Sequence, residues 1–333
     1  MKFSFTNNSN KGFTLIELMI SLFVGGFILA GVMFTYLGMK VTTSETMELG
    51  ELQESGRLAM DILKRDIELS GFWGNYASVP DASRILGGVP AAPANDCSEG
   101  INNASFPVIS NRKFVSLFAT DQAMNCIGAV NGDSDILQVK RVLGQNATGQ
   151  VTSANQQYFI STPQALRVVN GTGGVIPTVG NEQVWEYLHN VYFIQDQNYT
   201  LSGKNLSIPT LRRMRLTRGQ MTAETIMEGV ESLRFLIGLD TNGDSRVDTY
   251  RSVENMTQAD WEQGTSTILT VQIFLLVRTF EPNKGNPPGE QTFVLGGDTP
   301  ETLRTLTFND DFRRKLLTST VRLMNSGTDK WII

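Results

Sequence analysis

The sequence predicts an α+β protein: one long amino-terminal α-helix carrying a mainly antiparallel β head. Three observations lead there. Phe13–Met39 is a single apolar run with one charge, Glu17. An apolar stripe at helical spacing follows it and stops at a pair of glycines. From Lys113 onward, segments alternate between apolar and polar residues, the two-residue period of half-buried strands. The whole-chain averages hide this split. The 333 residues are 41% hydrophobic and 18% charged, with a formal net charge of −5. Their mean hydropathy is −0.12.

The apolar run comes first. At ~1.5 Å per residue a helix over residues 13–39 reaches ~40 Å, enough to cross a ~30 Å hydrocarbon core. Lys2 and Lys11 precede it, and Lys40, Glu45, Glu48 and Glu51 follow. The positive-inside rule then puts the amino terminus in the cytoplasm and the remainder across the membrane. A cleaved secretory signal would show a shorter apolar core and a small-residue cleavage site after it, which this run lacks. Glu17 is costly at that depth, roughly 2.5–3.5 kcal/mol for Asp on insertion scales, and so is a functional flag unless it snorkels to the interface. Gly25, Gly26, Gly31 and Gly38 allow close helix approach, and the Gly25-Gly26 pair lowers local helix stability by roughly 1–2 kcal/mol relative to Ala.

Beyond Lys40 the helix continues over residues 40–72 in amphipathic form. Leu49, Leu52, Gly56, Met60, Leu63 and Ile67 make one stripe. Glu48, Glu51, Glu54, Arg57, Asp61, Lys64, Arg65, Asp66 and Glu68 are assigned to the other faces. Gly71 and Gly74 end the helix. In the head, residues 73–333, the strand candidates are Lys113–Ala119, Asp135–Val142, Val184–Ile194, Leu206–Leu216, Glu231–Leu239, Thr267–Thr279 and Leu316–Met324. Met256–Gln263 reads as a short helix. Asn131-Gly132-Asp133, Asn170–Gly174 and Asn286–Gly289 read as turns.

Several function classes fall away. A pI near 5.1 argues against a nucleic-acid site, which usually shows a basic face. One histidine, His189, excludes His-cluster metal sites and disfavours triad chemistry. Gly243-Asp244-Ser245 resembles an esterase GDS, but its histidine should follow in a D-x-x-H block, and His189 precedes it. Gly171-Thr172-Gly173-Gly174 lacks the strand-to-helix context of a dinucleotide loop. Tyr187, His189, Val191 and Phe193 share one strand parity, so the histidine is expected to be a packed one.

The string Lys11-Gly12-Phe13-Thr14-Leu15-Ile16-Glu17-Leu18-Met19-Ile20-Ser21 resembles the class III leader junction of type IV pilins and type II secretion pseudopilins. The resemblance implies a leader over residues 1–12, cleavage between Gly12 and Phe13 by a prepilin peptidase, and methylation of the Phe13 amine. It also makes Glu17 the assembly glutamate. Physics agrees, because a carboxylate four residues from a new amine can neutralise it on its own chain or a neighbour's, and such a pair counts for more in a dry bundle than in water. Losing Lys2 and Lys11 would take the formal charge from −5 to −7.

Further segments resemble the PilW group of minor pilins. They are Leu58–Gly74, Glu228–Phe235 with Gly238-Leu239-Asp240, Thr267–Thr279 and Arg313–Asn325. Asn75 departs from that group, where relatives often have Cys. The likeness implies a type IV pilin-like fold and a non-enzymatic minor pilin. Such a protein co-assembles with other minor pilins and the major pilin to prime the pilus, at its tip, with a tip adhesin as a further partner. Twitching motility, adhesion or DNA uptake would be the outcome. It further implies an inner-membrane single-pass state with a periplasmic head before assembly, and a pilus or cell-surface state afterwards. The J-type pseudopilin of type II secretion is the alternative, although its head is usually smaller than the roughly 260 residues after Gly71. A membrane-anchored periplasmic enzyme is a third class.

Two features of the head stay open at this level. Cys97 and Cys126 are the only cysteines, and lie beyond the membrane in an oxidising compartment if the topology holds. A bridge would close a loop of about 29 residues, worth roughly 3–4 kcal/mol; otherwise they are two free thiols. Asp240, Asn242, Asp244, the Arg246 carbonyl and Asp248 have the 1-3-5-7-9 spacing of a calcium loop. The pattern is incomplete, with Gly243 at the fourth position and Arg251 at the twelfth. A polar hairpin turn around Asn242-Gly243 explains the same residues. No cofactor is required on this reading, and structural Ca2+ is the one candidate.

Overall fold

The computed structural model describes residues 12–108, 112–128, 130, 133–201, 204–283 and 287–326. Leader residues 1–11, with Lys2 and Lys11, and turn residues Asn131, Gly132 and Asn286 lie outside the described residues.

Helix α1 spans Leu15–Glu68, 54 residues, and the chain divides into two compact units, residues up to Glu51 and residues from Leu52. In the first unit the apolar run has no core to join. Phe13, Phe27 and Phe34 are 85%, 77% and 76% exposed, and none of the most apolar 18-residue window is buried. The helix is unbroken through Gly25 and Gly26, so the chain alone shows no loosening there. Its hydroxyls turn inward: Ser21, Thr35, Thr42 and Thr46 each donate to the carbonyl four residues back. That pairing meets their hydrogen-bonding needs without water.

In the second unit the expected stripe is buried from Leu52 onward, through Gly56, Met60, Leu63 and Ile67, and Ala59 joins it. Leu49 belongs to the first unit and is 40% exposed, so the buried face starts one turn later than its pattern suggested. Gly71 and Gly74, at φ +73° and +68°, take the chain out of the helix. Gly71 N–H then donates to the Lys140 carbonyl at 3.0 Å.

The head contains thirteen strands among the described residues. In chain order the first seven are β1 Leu117–Thr120, β2 Ile136–Asn146, β3 Gln157–Ser161, β4 Leu166–Asn170, β5 Gln183–Leu201, β6 Lys204–Thr217 and β7 Gln220–Glu228. They form one antiparallel sheet ordered β1-β2-β5-β3-β4, with β6 on β5 and β7 on β6. Then come β8 Val230–Asp240, β9 Thr249–Ser252, helix α2 Gln258–Trp261 and β10 Thr267–Arg278, followed by β11 Gln291–Val294, β12 Thr305–Phe308 and β13 Arg314–Arg322. The second sheet runs β13-β10-β8-β9, and β11 pairs with β12 alone. All seven expected strands are present, and β3, β4, β7, β9, β11 and β12 are additional. The first expected strand begins later, at Leu117; before it, the Val115 N–H bonds instead to the Asn102 carbonyl. The expected short helix is α2, whose Thr257 and Asp260 make a reciprocal capping box.

One apolar core joins the buried helix face to both sheets, including Leu63, Ile67, Phe159, Tyr187, Phe235 and Val271. Gly56 permits the closest approach, since a Cβ there would lie 2.6 Å from Leu317 Cδ1 on β13. The sheets are tied at residues 133–135. Ser232 Oγ donates to the Asp133 carbonyl at 2.6 Å, and Phe235 N–H donates to Asp135 at 2.8 Å. Asp135 is fully buried beside Arg304 at 2.9 Å and Arg234 at 3.4 Å. Burial raises its carboxyl to about 6, against the pull of Arg304 and Arg234.

Asp66 corrects the sequence reading, which put it on a solvent face. It is 5% exposed because three groups of the first sheet converge on it. Arg141 Nη2 and Nε donate to Oδ1 at 2.6 and 3.1 Å. Asn190 Nδ2 and the Tyr192 hydroxyl donate to Oδ2 at 2.7 and 2.6 Å. Burial, then the Asp66 charge, pushes the Tyr192 phenol up. Removing one side of a buried pair leaves an uncompensated charge, a loss of about 3–5 kcal/mol. We therefore expect Asp66→Ala to lower unfolding stability of the detergent-solubilised protein by that amount in a denaturant titration. A change within ~0.5 kcal/mol, the size of an ordinary surface substitution, would remove the clamp from the account.

Candidate functional site

The chemistry of the amino terminus is set where α1 begins. Thr14 N–H and Oγ1 both donate to Glu17 Oε2 at 2.9 Å, and Glu17 N–H donates back to Thr14 Oγ1 at 3.3 Å. This is a capping box, in which each side chain satisfies the other's helix-end amide. It answers how the chain carries Glu17 in an apolar segment: the carboxylate accepts from the Thr14 N–H and hydroxyl at the start of its own helix, where the helix dipole also favours it. Gly12 and Phe13 precede the helix and are exposed, the accessibility a peptidase requires. The structure brings Glu17 and Thr14 together in one turn, with Phe13 adjacent in the chain.

His189 is the packed residue the strand parity indicated, at 0% exposure. Gln138 Nε2 faces the carbonyls of Cys97 at 2.8 Å and Asn103 at 3.0 Å, which fixes that atom as the amide nitrogen. It also lies 2.8 Å from His189 Nε2, a third neighbour for its two hydrogens; because the single Ser105 hydroxyl proton goes to Asp96, His189 Nδ1 is the ring nitrogen that donates, to Ser105 Oγ. Ser105 Oγ sits 2.7 Å from Nδ1 and donates to Asp96 at 2.7 Å. The acid thus holds the serine and not the histidine, the reverse of a nucleophilic triad. Burial, with Lys140 nearby, pushes the imidazole pKa down.

Cys97 and Cys126 form a disulfide, with Cα atoms 4.8 Å apart. The bridge closes the segment that carries β1, the strand paired with β2, and Gln138 on β2 donates to the Cys97 carbonyl. Asn75, at the departure from the PilW pattern, accepts from Ser161 Oγ at 2.5 Å.

The Asp240–Asp248 turn joins β8 to β9. Asp240 accepts from the N–H groups of Asn242, Gly243 and Ser245, and Asn242 Oδ1 from Asp244 N–H. Asp244 accepts from Arg246 N–H, and Asp248 from Thr241 N–H and Oγ1. The Thr241 donors hold the Asp248 carboxyl below its usual range. Arg251 at the twelfth position turns to Asp260 at 2.7 Å. Among the described residues, no three His, Cys, Asp or Glu side chains are grouped to hold a metal ion. A turn closed by its own amides predicts a melting temperature unchanged by EDTA. A rise of several degrees in millimolar calcium would show instead that Asp240, Asn242, Asp244, Arg246 and Asp248 bind the ion.

Sequence reasoning missed Asp66, although its phase was visible: it continues the buried series Leu52, Ala59, Leu63 at helical spacing. It also missed the environment of Arg278, treated below, which only the packing of distant segments creates.

Comparison with known proteins fits this geometry. Residues 7–33 match the prokaryotic N-terminal methylation motif, and residues 191–325 match the type IV pilus-assembly protein W family, PilW. The class is therefore that of prepilin-type proteins with an apolar amino-terminal helix and an antiparallel β head. More particularly, residues 191–325 are similar to the PilW family, and together with the amino-terminal motif this match supports a type IV pilus minor pilin. Among solved structures, a type IV-like pilin from Thermus thermophilus is similar at 12% identity and a TM-score of 0.36. That match covers 82% of this chain and 97% of the other. No curated protein matches the sequence.

Proposed function

We propose that this minor pilin co-assembles with other minor pilins and the major pilin to prime type IV pilus assembly, and that it resides at the pilus tip. The observation that carries the reading is the wholly exposed apolar run of α1, headed by a carboxylate held in place by Thr14. Before assembly the run lies in the inner membrane, with the amino terminus cytoplasmic and the head periplasmic. A prepilin peptidase then removes residues 1–12 and methylates Phe13. On entering the fibre, Glu17 exchanges its two bonds from Thr14 for the Phe13 amine of a neighbouring subunit, which fixes axial register. In that dry bundle a pair of opposite charges outweighs the neutral bonds it replaces. Pilin-family proteins are structural, and the role proposed for this one is assembly without catalysis. A tip adhesin would be a further partner, and motility, adhesion or DNA uptake the outcome.

Complementing a deletion strain tests this. Wild-type protein should restore surface pili, while Glu17→Ala should leave the protein in the inner membrane and pili reduced at least tenfold by shearing and immunoblot. Normal piliation with Glu17→Ala would refute the register role. Loss of exoprotein secretion with intact pili in the deletion strain would assign the chain to the pseudopilin branch.

A further inference from the structure

A cleft of about 400 Å3 opens where the β5–β6 ribbon meets the end of the second sheet, lined by Asp196, Pro209, Glu231, Arg278, Phe280 and Phe312 among others. Gly229 lies behind two of these lining residues, Arg278 and Phe280. At φ +80° it brings β7 into β8 and lets Phe280 pack closely, since a Cβ there would lie 2.9 Å from the Phe280 ring and 2.8 Å from the Arg278 carbonyl.

Arg278 is short of partners in this cleft. Its guanidinium stacks 4.2 Å from the Phe312 ring centroid, and Nη2 donates to the Ser207 carbonyl at 2.6 Å. Its Nε–H is buried without an acceptor. The nearest carboxylate oxygen, on Glu231, is 3.8 Å away, beyond hydrogen-bonding range. Glu231 is already bound to Arg314 Nε and Nη2 at 2.5 and 3.0 Å, and Asp310 adds two further bonds to Arg314. Arg314 thus holds two carboxylates while Arg278, whose side chain is only 13% exposed, holds none by hydrogen bond. A guanidinium in that state favours a carboxylate, which it can grip with two donors.

We propose that the cleft binds an acidic side chain of a partner polypeptide, its carboxylate pairing with Arg278 and an adjoining apolar residue resting on Phe280, 40% exposed at the rim. Asp196, exposed on the same lining, is suited to accept a backbone N–H of that segment. The binding needs only the folded head, so its failure would leave the assembly role untouched.

Full-length protein in detergent micelles, labelled with 15Nε-arginine, reports on Arg278 directly, its resonance being assigned by its absence in Arg278→Gln. Titration with N-acetyl-Leu-Glu-amide should shift that resonance saturably, and the Leu-Gln analogue should not. Phe280→Ala, with an unchanged circular-dichroism spectrum, should weaken binding several-fold. Equal shifts from the Leu-Gln analogue, no saturable shift from either peptide, or preference for N-acetyl-Leu-Lys-amide would overturn the proposal.

Discussion

A helix that buries none of its most apolar stretch needs a solvent other than water. Exposing such a surface costs on the order of 25 cal/mol per Å2, and an apolar patch of that extent marks an interaction site. The rest of the protein is arranged around this constraint. Hydroxyls within the stretch are turned onto the helix backbone, and the one carboxylate accepts from the Thr14 N–H and hydroxyl. Water is therefore not required at any of those atoms. Lipid supplies the apolar surroundings in one state and neighbouring helices would supply them in another, without refolding.

The head answers a different demand. From Leu52 the same helix becomes part of a core, and its position against the first sheet is fixed by Asp66 as well as by apolar contact. A stripe of Leu, Met and Ile could slide along a β-sheet at little cost. A carboxylate meeting Arg141, Asn190 and Tyr192 together has one position. The buried pair thus specifies register, the best-attested use of such groups. At the far end, Asp135 with Arg234 and Arg304 plays a similar part between the two sheets.

Much of this was legible in the sequence because it is written in local periods. The apolar run, the helical stripe and the clean alternation of Val271, Ile273, Leu275 and Val277 need no tertiary knowledge. The short strands β9, β11 and β12, four residues each, offer too few alternations to register. β7 buries only one of its nine residues and carries a bulge, so its period is broken. Asp66 was misassigned because a charged residue was placed by chemistry and not by phase. The amino-terminal site was legible as a motif. The capping box linking Thr14 to Glu17 required coordinates, although the Thr-x-x-Glu spacing was present. Arg278 is different in kind, since its want of a hydrogen-bonded carboxylate depends on Glu231 being taken by Arg314, over 80 residues away in the chain.

If one chain serves in both membrane and fibre, the change is made at Phe13. Intact-mass and amino-terminal analysis of the protein recovered from sheared pili reads this out. The fibre fraction should hold a chain beginning at N-methylated Phe13. Protein retaining Met1 and its leader in that fraction would rule the two-state role out.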